Sequence, residues 1–317
     1  MAESRQGPSG GVQYLQVDVD DSGQRLDNYL MRKLRGVPKT RLYRALRRGE
    51  VRVNKGRVKA GYRLVAGDRV RIPPLRLPAA QEPAALPRYW AQLLQQRIVY
   101  EDGDLLVINK PSGLAVHGGS GLSFGLIEGL RRLRPEDRYL ELVHRLDRDT
   151  SGLILIARRP AILRELHRQL REVRVDKRYR ALVCGRWPRR LGRVDAPLEK
   201  NVLKSGERMV RVSQEGKRAV TEFSVLERFG DATLLEAKPV TGRTHQIRVH
   251  AQHAGCPLMG DEKYASDRAL ALGREMGLKR LFLHASQLRF SLPNTGPLEL
   301  SADLDPDLEI ILEKLRN

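Results

Sequence analysis

The pattern of apolar and polar positions along this chain predicts strands and helices that fall into two groups. Residues 153–157 are five consecutive apolar residues behind a charged turn. This run indicates a strand buried on both faces, although periodicity alone leaves a buried helical segment open. Residues 176–183 alternate and predict a strand with Tyr179 and Ala181 on one face. Leucines three and four residues apart over 161–172 predict an amphipathic helix.

The N-terminal part of the chain repeats these signals at shorter length. Residues 12–19 alternate as a short strand, and leucine and tyrosine at helical spacing predict two helices between residues 25 and 49. A hairpin over 51–58 and a strand over 69–72 follow. We therefore expect one small domain over residues 12–76.

A change in composition marks the boundary between the domains. Residues 77–96 are rich in proline and alanine and predict a linker, and residues 97–317 carry the signals of a second domain. Residues 1–11 are polar and lack the apolar segment of a signal peptide, so we expect a disordered tail.

The second domain combines predicted strands with helices. Apolar runs on both sides of an acidic turn predict a hairpin over 98–110, and further strands are predicted at 221–225 and 232–237. A helix is predicted over 124–133. The segment 193–216 is polar and shows few helix signals, so it is predicted to be a loop.

Composition agrees with a folded protein, since 41% of the residues are hydrophobic. No run approaches the roughly 18 apolar residues of a membrane-spanning helix. The two cysteines, Cys184 and Cys256, are far apart and lack the spacing of metal ligands. The sequence therefore predicts a reduced, cytoplasmic protein that does not bind membranes.

Positive charge is concentrated in the N-terminal domain. The net charge of the chain is +20, and residues 25–76 hold 17 lysines and arginines against three acidic residues. So concentrated a field attracts a polyanion, and nucleic acid is the expected partner. The candidate RNA contacts of this domain are Lys39, Arg41, Arg44, Arg47, Arg48, Arg52 and Lys55.

The turn ahead of the buried strand combines several reactive side chains. Residues 144–149 hold one imidazole, two guanidiniums and two carboxylates, and the strand behind them would fix their positions. A charged surface turn is the alternative interpretation. The residues alone do not distinguish Asp147 from Asp149 as a reactive carboxylate.

A second group of polar residues lies at 241–253. We expect a helix to begin at Thr244, so that its first N–H groups and Arg243 lie beside an anion. The segment also contains three histidines, His245, His250 and His253. They are five and three residues apart, which does not fit the helical zinc motif, so no metal site is predicted.

Two family resemblances follow from these motifs. The first is to the S4 domain, a small RNA-binding module, and is carried by residues 25–27, 49–54 and 67–70. The second is to the RluA family of RNA pseudouridine synthases, and is carried by residues 144–152, 176–181 and 241–250. Together the two resemblances cover about residues 12–316.

The resemblance implies a fold and a reaction. The fold is α+β, with a small S4 (αL-like) domain followed by a catalytic domain on a mostly antiparallel sheet. The reaction is the isomerisation of uridine to pseudouridine in 23S ribosomal RNA of the large subunit or its precursor, by a monomer. Because the uracil is only detached from C1′ and rejoined through C5, no cofactor is needed.

The family motifs also imply roles for individual residues. Asp147 is the catalytic carboxylate, acting either as a nucleophile or as the base that deprotonates C2′. Arg248 keeps that carboxylate ionised, with Arg243 as the second candidate and as an RNA contact. Tyr179 is a catalytic residue that stacks on the target uracil and is a candidate for assisting proton removal from C5, and Arg145 fills the place that the flipped nucleotide leaves.

Two other functions remain open from the sequence. One is an RNA-binding or ribosome-assembly protein in which the acidic turn is structural. Loss of product at unchanged RNA affinity in Asp147→Ala would count against it. The other is a hydrolytic or phosphoryl-transfer enzyme acting on RNA, which requires a divalent metal and is excluded by full activity in chelator.

Overall fold

The chain forms two units, Met1–Ala85 and Leu86–Asn317. The computed structural model describes residues 11–34, 36–75, 87–118, 125–202 and 208–317. Except for Gly11, the predicted tail of residues 1–11 lies outside the described residues, and so do residues 77–86 of the predicted linker.

The first unit packs two helices on a four-stranded sheet of order β1-β4-β2-β3. Its elements are β1 (Gln13–Gln16), α1 (Leu26–Lys33), α2 (Lys39–Arg48), β2 (Arg52–Val53), β3 (Gly56–Arg57) and β4 (Arg69–Ile72). Leu26 and Leu30 of α1 and Leu42 and Leu46 of α2 share one apolar core with Val70 of β4. The predicted helices, hairpin and final strand are therefore confirmed.

Two turns of this unit depend on left-handed backbone. Gly49 has φ +69° and ends α2, a position where residues with a Cβ are strained. Asn54 and Lys55 both have positive φ, 50° and 68°, as a two-residue type I′ turn requires. The hairpin thus projects Lys55 from its tip.

The second unit contains six helices and twelve strands among its described residues. The helices are α3 (Arg88–Gln96), α4 (Leu126–Leu133), α5 (Pro160–Arg171), α6 (Gln246–His253), α7 (Asp267–Glu275) and α8 (Pro306–Arg316). The strands are β5 (Ile98–Glu101), β6 (Leu105–Lys110), β7 (Glu141–Leu142), β8 (Ser151–Ala157), β9 (Asp176–Cys184), β10 (Arg193–Asp195), β11 (Leu198–Val202), β12 (Arg208–Val212), β13 (Val220–Arg228), β14 (Ala232–Pro239), β15 (Leu283–Leu292) and β16 (Gly296–Ser301). Within the described residues, no helix is both long and apolar enough to cross a bilayer.

Ten strands form one sheet in the order β10-β13-β14-β9-β15-β8-β6-β5, with β16 paired to β15 and β7 paired to β8. The β15–β8 pair is parallel and the other described pairs of this sheet are antiparallel. Gly152 of β8 has φ +110°, and a Cβ there would lie 2.3 Å from the carbonyl oxygen of Ala285 on β15. The predicted α+β fold with a mostly antiparallel sheet is confirmed.

Strand β8 lies in the interior of this sheet, between β15 and β6, and all seven of its residues are buried. Ile154 and Ile156 belong to the apolar cluster on one face, and Leu153 and Leu155 to the cluster on the other. Each fully buried aliphatic side chain contributes about 1.5–3 kcal/mol relative to exposure. The predicted strand buried on both faces is confirmed, and it anchors the turn that precedes it.

The predicted linker extends too far. Residues 88–96, assigned to it because of the prolines and alanines upstream, form helix α3 instead. Trp90 and Leu94 are four residues apart on one face of this helix, and Leu94 is completely buried in the main core. The apolar face of α3 therefore outweighs the composition of the segment before it.

The loop predicted over 193–216 is also wrong. This segment contains β10 and the two strands of a separate hairpin, β11 and β12. Leu198 and Val210 of the hairpin are buried, whereas the opposed Glu199 and Arg211 form an exposed ion pair. Charged residues on the outer face concealed the alternation in the sequence.

Candidate active site

A cleft of about 610 Å³ lies where three segments of the second unit meet. The turn between β7 and β8, strand β9, and the segment that leads into α6 form its walls. The cleft is lined by each of the five candidate residues of this unit, Arg145, Asp147, Tyr179, Arg243 and Arg248. The fold therefore brings together residues from all three motifs of the sequence.

A hydrogen bond from the buried Lys110 holds the turn that carries Asp147. This buried lysine donates hydrogen bonds to three backbone carbonyls, one of which belongs to Arg148 at 3.0 Å. Gly113 N–H donates to the same carbonyl at 2.9 Å, and the Ser112 hydroxyl donates to the carbonyl of Asp149 at 2.8 Å. Burial lowers the pKa of Lys110 to about 7, although the two nearby carboxylates oppose the shift.

Two nitrogen-bearing side chains lie near one of the two carboxylate oxygens of Asp147. Oδ2 lies 3.8 Å from Nη1 of Arg248 and 3.8 Å from Nε2 of His245. Oδ1 makes no side-chain or backbone hydrogen bond within the part of the chain that the structure describes. The side chain is 30% exposed and lines the cleft, so the carboxylate is accessible from it.

Arg248 is held by a second carboxylate, that of Asp261. Its Nε atom lies 2.7 Å from Oδ2 and its Nη2 atom 2.6 Å from Oδ1 of this fully buried residue. Burial alone would lower the pKa of Arg248, but its hydrogen bonds with Asp261 keep it above its usual value. Two nitrogens of the guanidinium are thus used for support, and the third faces Asp147.

The sequence indicates His245 only as a possible metal ligand, but in the structure this residue lies against Asp147. It precedes α6 with φ +52°, a left-handed conformation that is uncommon for residues other than glycine. Its Nδ1 atom lies 2.7 Å from the hydroxyl of Tyr264. Neither Tyr264 nor Asp261 belongs to the predicted motifs, and only the folded chain places them in this site.

The three histidines of the motif do not converge on one point. His250 is buried, with its ring nitrogens bonded to the Thr221 hydroxyl and the Ala196 carbonyl. His253 is exposed on α6. Across the described ranges, no group of histidine, cysteine and acidic residues has the arrangement of a metal site.

Tyr179 projects from β9 into the cleft and is 9% exposed. Burial, with a contribution from the Asp147 charge, raises the pKa of its phenol well above the usual value. The ring is therefore neutral and presents an aromatic face to the cleft. His144, on the opposite wall, accepts a hydrogen bond from Leu155 N–H at 3.2 Å, and burial lowers its pKa to about 3.

Arg145 and Arg243 lie at the rim and are both exposed. Nη2 of Arg145 is 3.5 Å from the hydroxyl of Thr244, and Nε of Arg243 donates to the carbonyl of Arg218 at 3.0 Å. Both arginines also line a neighbouring cavity of about 370 Å³ beside β11. Their positions suit contact with a polyanion larger than one nucleotide.

In the first unit, the seven basic candidates are exposed but do not form one site. Arg48, Arg52 and Lys55 line a concavity of about 910 Å³ together with Arg69 and Arg71, which the sequence did not single out. The remaining candidates lie on α2 outside that concavity and are Lys39, Arg41, Arg44 and Arg47. Tyr14 also lines it, with the Arg69 guanidinium 4.2 Å from its ring centre.

Comparisons with known proteins identify the family to which the chain is similar. Residues 104–253 match the model of the RNA pseudouridylate synthase family, and residues 24–70 match that of the S4 domain. Ribosomal large subunit pseudouridine synthase C of Escherichia coli K12 is 55% identical over 311 residues, which covers 96% of this chain and 97% of that protein. The protein of the same name from Pasteurella multocida is 55% identical over 307 residues, covering 96% and 94%.

Solved structures give the same result for the second unit. The structure of human RNA Pseudouridylate Synthase Domain Containing 4 is 29% identical, with a TM-score of 0.60, and covers 72% of this chain and 96% of that one. Human RNA Pseudouridylate Synthase Domain Containing 1 is 28% identical, with a TM-score of 0.54, and covers 69% and 94%. The resemblance predicted from the sequence motifs is confirmed: the chain belongs to the family of RNA pseudouridylate synthases and carries an S4 domain ahead of its synthase domain.

Proposed function

We propose that this enzyme converts uridine to pseudouridine in 23S ribosomal RNA of the large subunit, in the cytoplasm and as a monomer, with Asp147 as its catalytic carboxylate. The relatives named for the large ribosomal subunit support the choice of substrate. The observation that carries the catalytic assignment is the geometry of Asp147, whose Oδ2 lies 3.8 Å from the buried Arg248 while its side chain lines the cleft and Oδ1 makes no hydrogen bond among the described residues.

The reaction needs one ionised carboxylate with an accessible oxygen. The N1–C1′ bond breaks and its electron pair stays on the uracil, which turns and forms a new bond from C5 to C1′. The proton on C5 is then removed, and N1 carries a proton in the product. Asp147 either attacks the substrate and is released before the product forms, or removes the C2′ proton and later returns it, and both routes use an accessible carboxylate oxygen. No electron or group is supplied from outside.

The surroundings of the two acidic residues favour Asp147 over Asp149. Oδ1 of Asp149 accepts a hydrogen bond from Nε of Arg148 at 3.1 Å on the outer side of the turn. Its side chain is 43% exposed and does not line the cleft. Asp149 therefore lacks both the buried cation and the pocket that a substrate base requires.

We assign Tyr179 to stacking on the target uracil. Its neutral ring is buried in the cleft, and burial of an aromatic surface supports base stacking without selecting for sequence. Tyr179→Phe keeps the ring and Tyr179→Leu removes it. We expect Leu to reduce turnover about 10-fold or more relative to Phe, in line with about 1–3 kcal/mol for a stacked base.

We assign Arg145 to the vacated position in the RNA stack. The side chain is exposed at the rim, and its planar guanidinium stacks well. Flipping a paired base costs a few kcal/mol, whereas an unpaired base costs less. Arg145→Ala should therefore slow modification of structured RNA more than modification of a short RNA with an unpaired target uridine.

The basic residues of the S4 domain would hold RNA through phosphates. Removal of one lysine or arginine that binds a phosphate should lower the slope of log affinity against log salt by roughly one. Replacing Arg52 and Lys55 with glutamine should lower RNA affinity across sequences. Turnover at saturating RNA should change little.

The test uses 23S RNA from cells that lack this protein, incubated in chelator with wild type, Asp147→Ala or Asp149→Asn. Pseudouridine is mapped by carbodiimide-dependent stops of reverse transcription. We expect new stops with wild type and Asp149→Asn only. Stops that appear only with added divalent metal would indicate another reaction, and substantial product from Asp147→Ala would contradict the catalytic assignment.

RNA affinity separates the remaining outcomes. If wild type binds 23S RNA tightly but modifies neither it nor precursor particles, the protein is an RNA-binding or assembly factor. Product with particles but not with naked RNA would identify the assembling subunit as the substrate.

A further inference from the structure

The imidazole of His245 is held between a phenol and a carboxylate. Its Nδ1 atom lies 2.7 Å from the hydroxyl of Tyr264, and its Nε2 atom lies 3.8 Å from Oδ2 of Asp147. The Tyr264 oxygen already accepts a hydrogen bond from Val210 N–H at 3.0 Å. With that acceptor position occupied, the geometry favours donation of the Tyr264 hydroxyl proton to Nδ1, which is then the unprotonated nitrogen of the ring.

This pattern selects one tautomer of His245. A neutral imidazole with an unprotonated Nδ1 carries its proton on Nε2, the atom that faces Asp147. Burial lowers the pKa of His245 below its usual value, although the charge of Asp147 opposes the shift. His245 thus presents an uncharged N–H group to the carboxylate.

We propose that His245 is a positioning residue for Asp147 and that Tyr264 selects the tautomer in which His245 acts. His245 and Arg248 approach the same oxygen, Oδ2, so that Oδ1 is left for the substrate. The 3.8 Å separation exceeds a hydrogen bond by about 1 Å, and such contacts tighten when the substrate closes a site. This inference rests on the proposed catalytic role of Asp147.

An uncharged donor has an effect that a second cation would not have. Arg248 already brings a positive charge to Oδ2, and Asp261 balances that charge. A protonated imidazole would add another cation at the same oxygen and make the carboxylate a weaker base and nucleophile. A neutral N–H fixes the orientation of the carboxylate and preserves its reactivity.

Asp261 links the two supports of Asp147. Its Oδ1 atom pairs with Nη2 of Arg248 at 2.6 Å and accepts the Tyr264 N–H at 3.2 Å. The Asp261 carboxylate therefore positions both the Arg248 guanidinium and the backbone N–H of Tyr264, the residue whose hydroxyl orients His245. The Tyr264 ring also lies 5.0 Å from the Arg248 guanidinium, so its aromatic part has a separate contact.

Four substitutions separate these contacts. Tyr264→Phe removes the hydroxyl and keeps the ring beside Arg248. His245→Asn tolerates the left-handed backbone but ends short of Asp147, whereas His245→Gln reaches the Nε2 position with an amide N–H. Tyr100→Phe is the matched control, because Tyr100 donates to Asp102 at 2.6 Å and does not line the cleft.

The first readout is single-turnover modification of 23S RNA at saturating enzyme, beside RNA affinity. We expect Tyr264→Phe and His245→Asn to lower the rate by about 10–100-fold at unchanged affinity, as for other groups that orient a reactive ligand. His245→Gln should recover part of that loss, and Tyr100→Phe should match wild type. A rate for Tyr264→Phe and His245→Asn within about twofold of wild type would overturn the inference.

The second readout is the ¹⁵N spectrum of the histidine rings, which does not depend on activity. His144 is an internal reference of the opposite tautomer, because its Nε2 atom accepts the Leu155 N–H. We expect the proton of His245 on Nε2 in wild type and a changed tautomer population in Tyr264→Phe. A wild-type proton on Nδ1 of His245 would overturn the inference, whereas absence of pseudouridine with wild type would overturn only the proposed function.

Discussion

Two buried clusters of the second unit use the same groups and differ in what they leave open. In the first, Arg248 and His245 approach the Oδ2 atom of Asp147, and Asp261 pairs with Arg248. In the second, Arg280 lies 3.2 Å from Asp305 and donates to the Ser151 hydroxyl at 2.9 Å. Ser151 in turn lies 2.9 Å from Nδ1 of His284, whose Nε2 atom bonds a backbone carbonyl.

The second cluster resembles a catalytic serine site in composition, but it is closed. Ser151 and His284 have no exposed surface, and both ring nitrogens of His284 are used. Asp147, by contrast, is 30% exposed, lines the cleft and keeps one oxygen without a hydrogen bond among the described residues. The two clusters therefore differ in whether a hydrogen-bond acceptor is accessible to a substrate, and not in their residue types.

The largest contrast is expected between the two aspartates in turnover. Asp147→Asn removes the open carboxylate oxygen and should lower the rate of pseudouridine formation by at least about 1,000-fold. The melting temperature should stay near that of wild type, because the side chain is 30% exposed. Single-turnover assays and calorimetry on the same sample check both values. If Asp305→Asn lowered the rate per folded molecule as much as Asp147→Asn does, turnover would not distinguish the two clusters.

Asp305→Asn should instead affect stability. This buried carboxylate pairs with both Arg97 and Arg280, and its removal leaves Arg97 without this counter-charge and, among the described residues, Arg280 paired only with the exposed Asp307. We expect the free energy of unfolding in urea to fall by about 3–5 kcal/mol. Asp303→Asn, at an exposed position nearby, is the control and should change it by less than about 0.5 kcal/mol.

Arg248→Lys sharpens the comparison within the open cluster. A lysine ammonium cannot bind Asp261 through two nitrogens and present a third to Asp147. We expect turnover to fall about 10–100-fold with RNA affinity retained. Turnover at the wild-type level would mean that a single positive charge suffices, whatever its geometry.

The smallest effect concerns acid stability of the closed cluster. Burial lowers the pKa of His284 to about 4, so between pH 6.5 and 4 the unfolded state binds a proton that the folded state does not. Stability should therefore fall as the pH decreases through this window, by up to about 1.4 kcal/mol per unit from this residue. His284→Gln should flatten the decline in urea titrations, and the exposed His253→Gln should leave it unchanged.

Elements with a strong local period were predictable from the sequence. The apolar run of β8, the leucines of α5 and the hairpin of the S4 domain each carry a complete signal within a few residues. β11 and β12 gave no such signal, because the charged residues on their outer face obscure the apolar alternation. Helix α3 was hidden because its one fully buried residue, Leu94, lies behind a segment rich in proline.

The cleft residues that belong to a sequence motif were predictable, and the residues that hold them in place by hydrogen bonds were not. Asp147, Tyr179 and Arg248 follow from three motifs, and the fold brings them into one cleft. Long-range packing brings Tyr264 next to His245 and Asp261 next to Arg248. An isolated tyrosine or aspartate in the sequence gives no local signal that it supports an active site. The tautomer of His245 depends on an N–H of β12, a strand that the sequence did not predict.

The parallel pairing of β8 with β15 has a consequence for synthesis of the enzyme. Ser151, directly behind the catalytic turn, is hydrogen-bonded to His284, which is translated 133 residues later. The growing chain must therefore carry β8 without its parallel neighbour, as an unpaired edge, through much of elongation. A polypeptide interrupted between the two strands would keep the S4 unit, which has its own apolar core, and would lack the strand that pairs in parallel with β8.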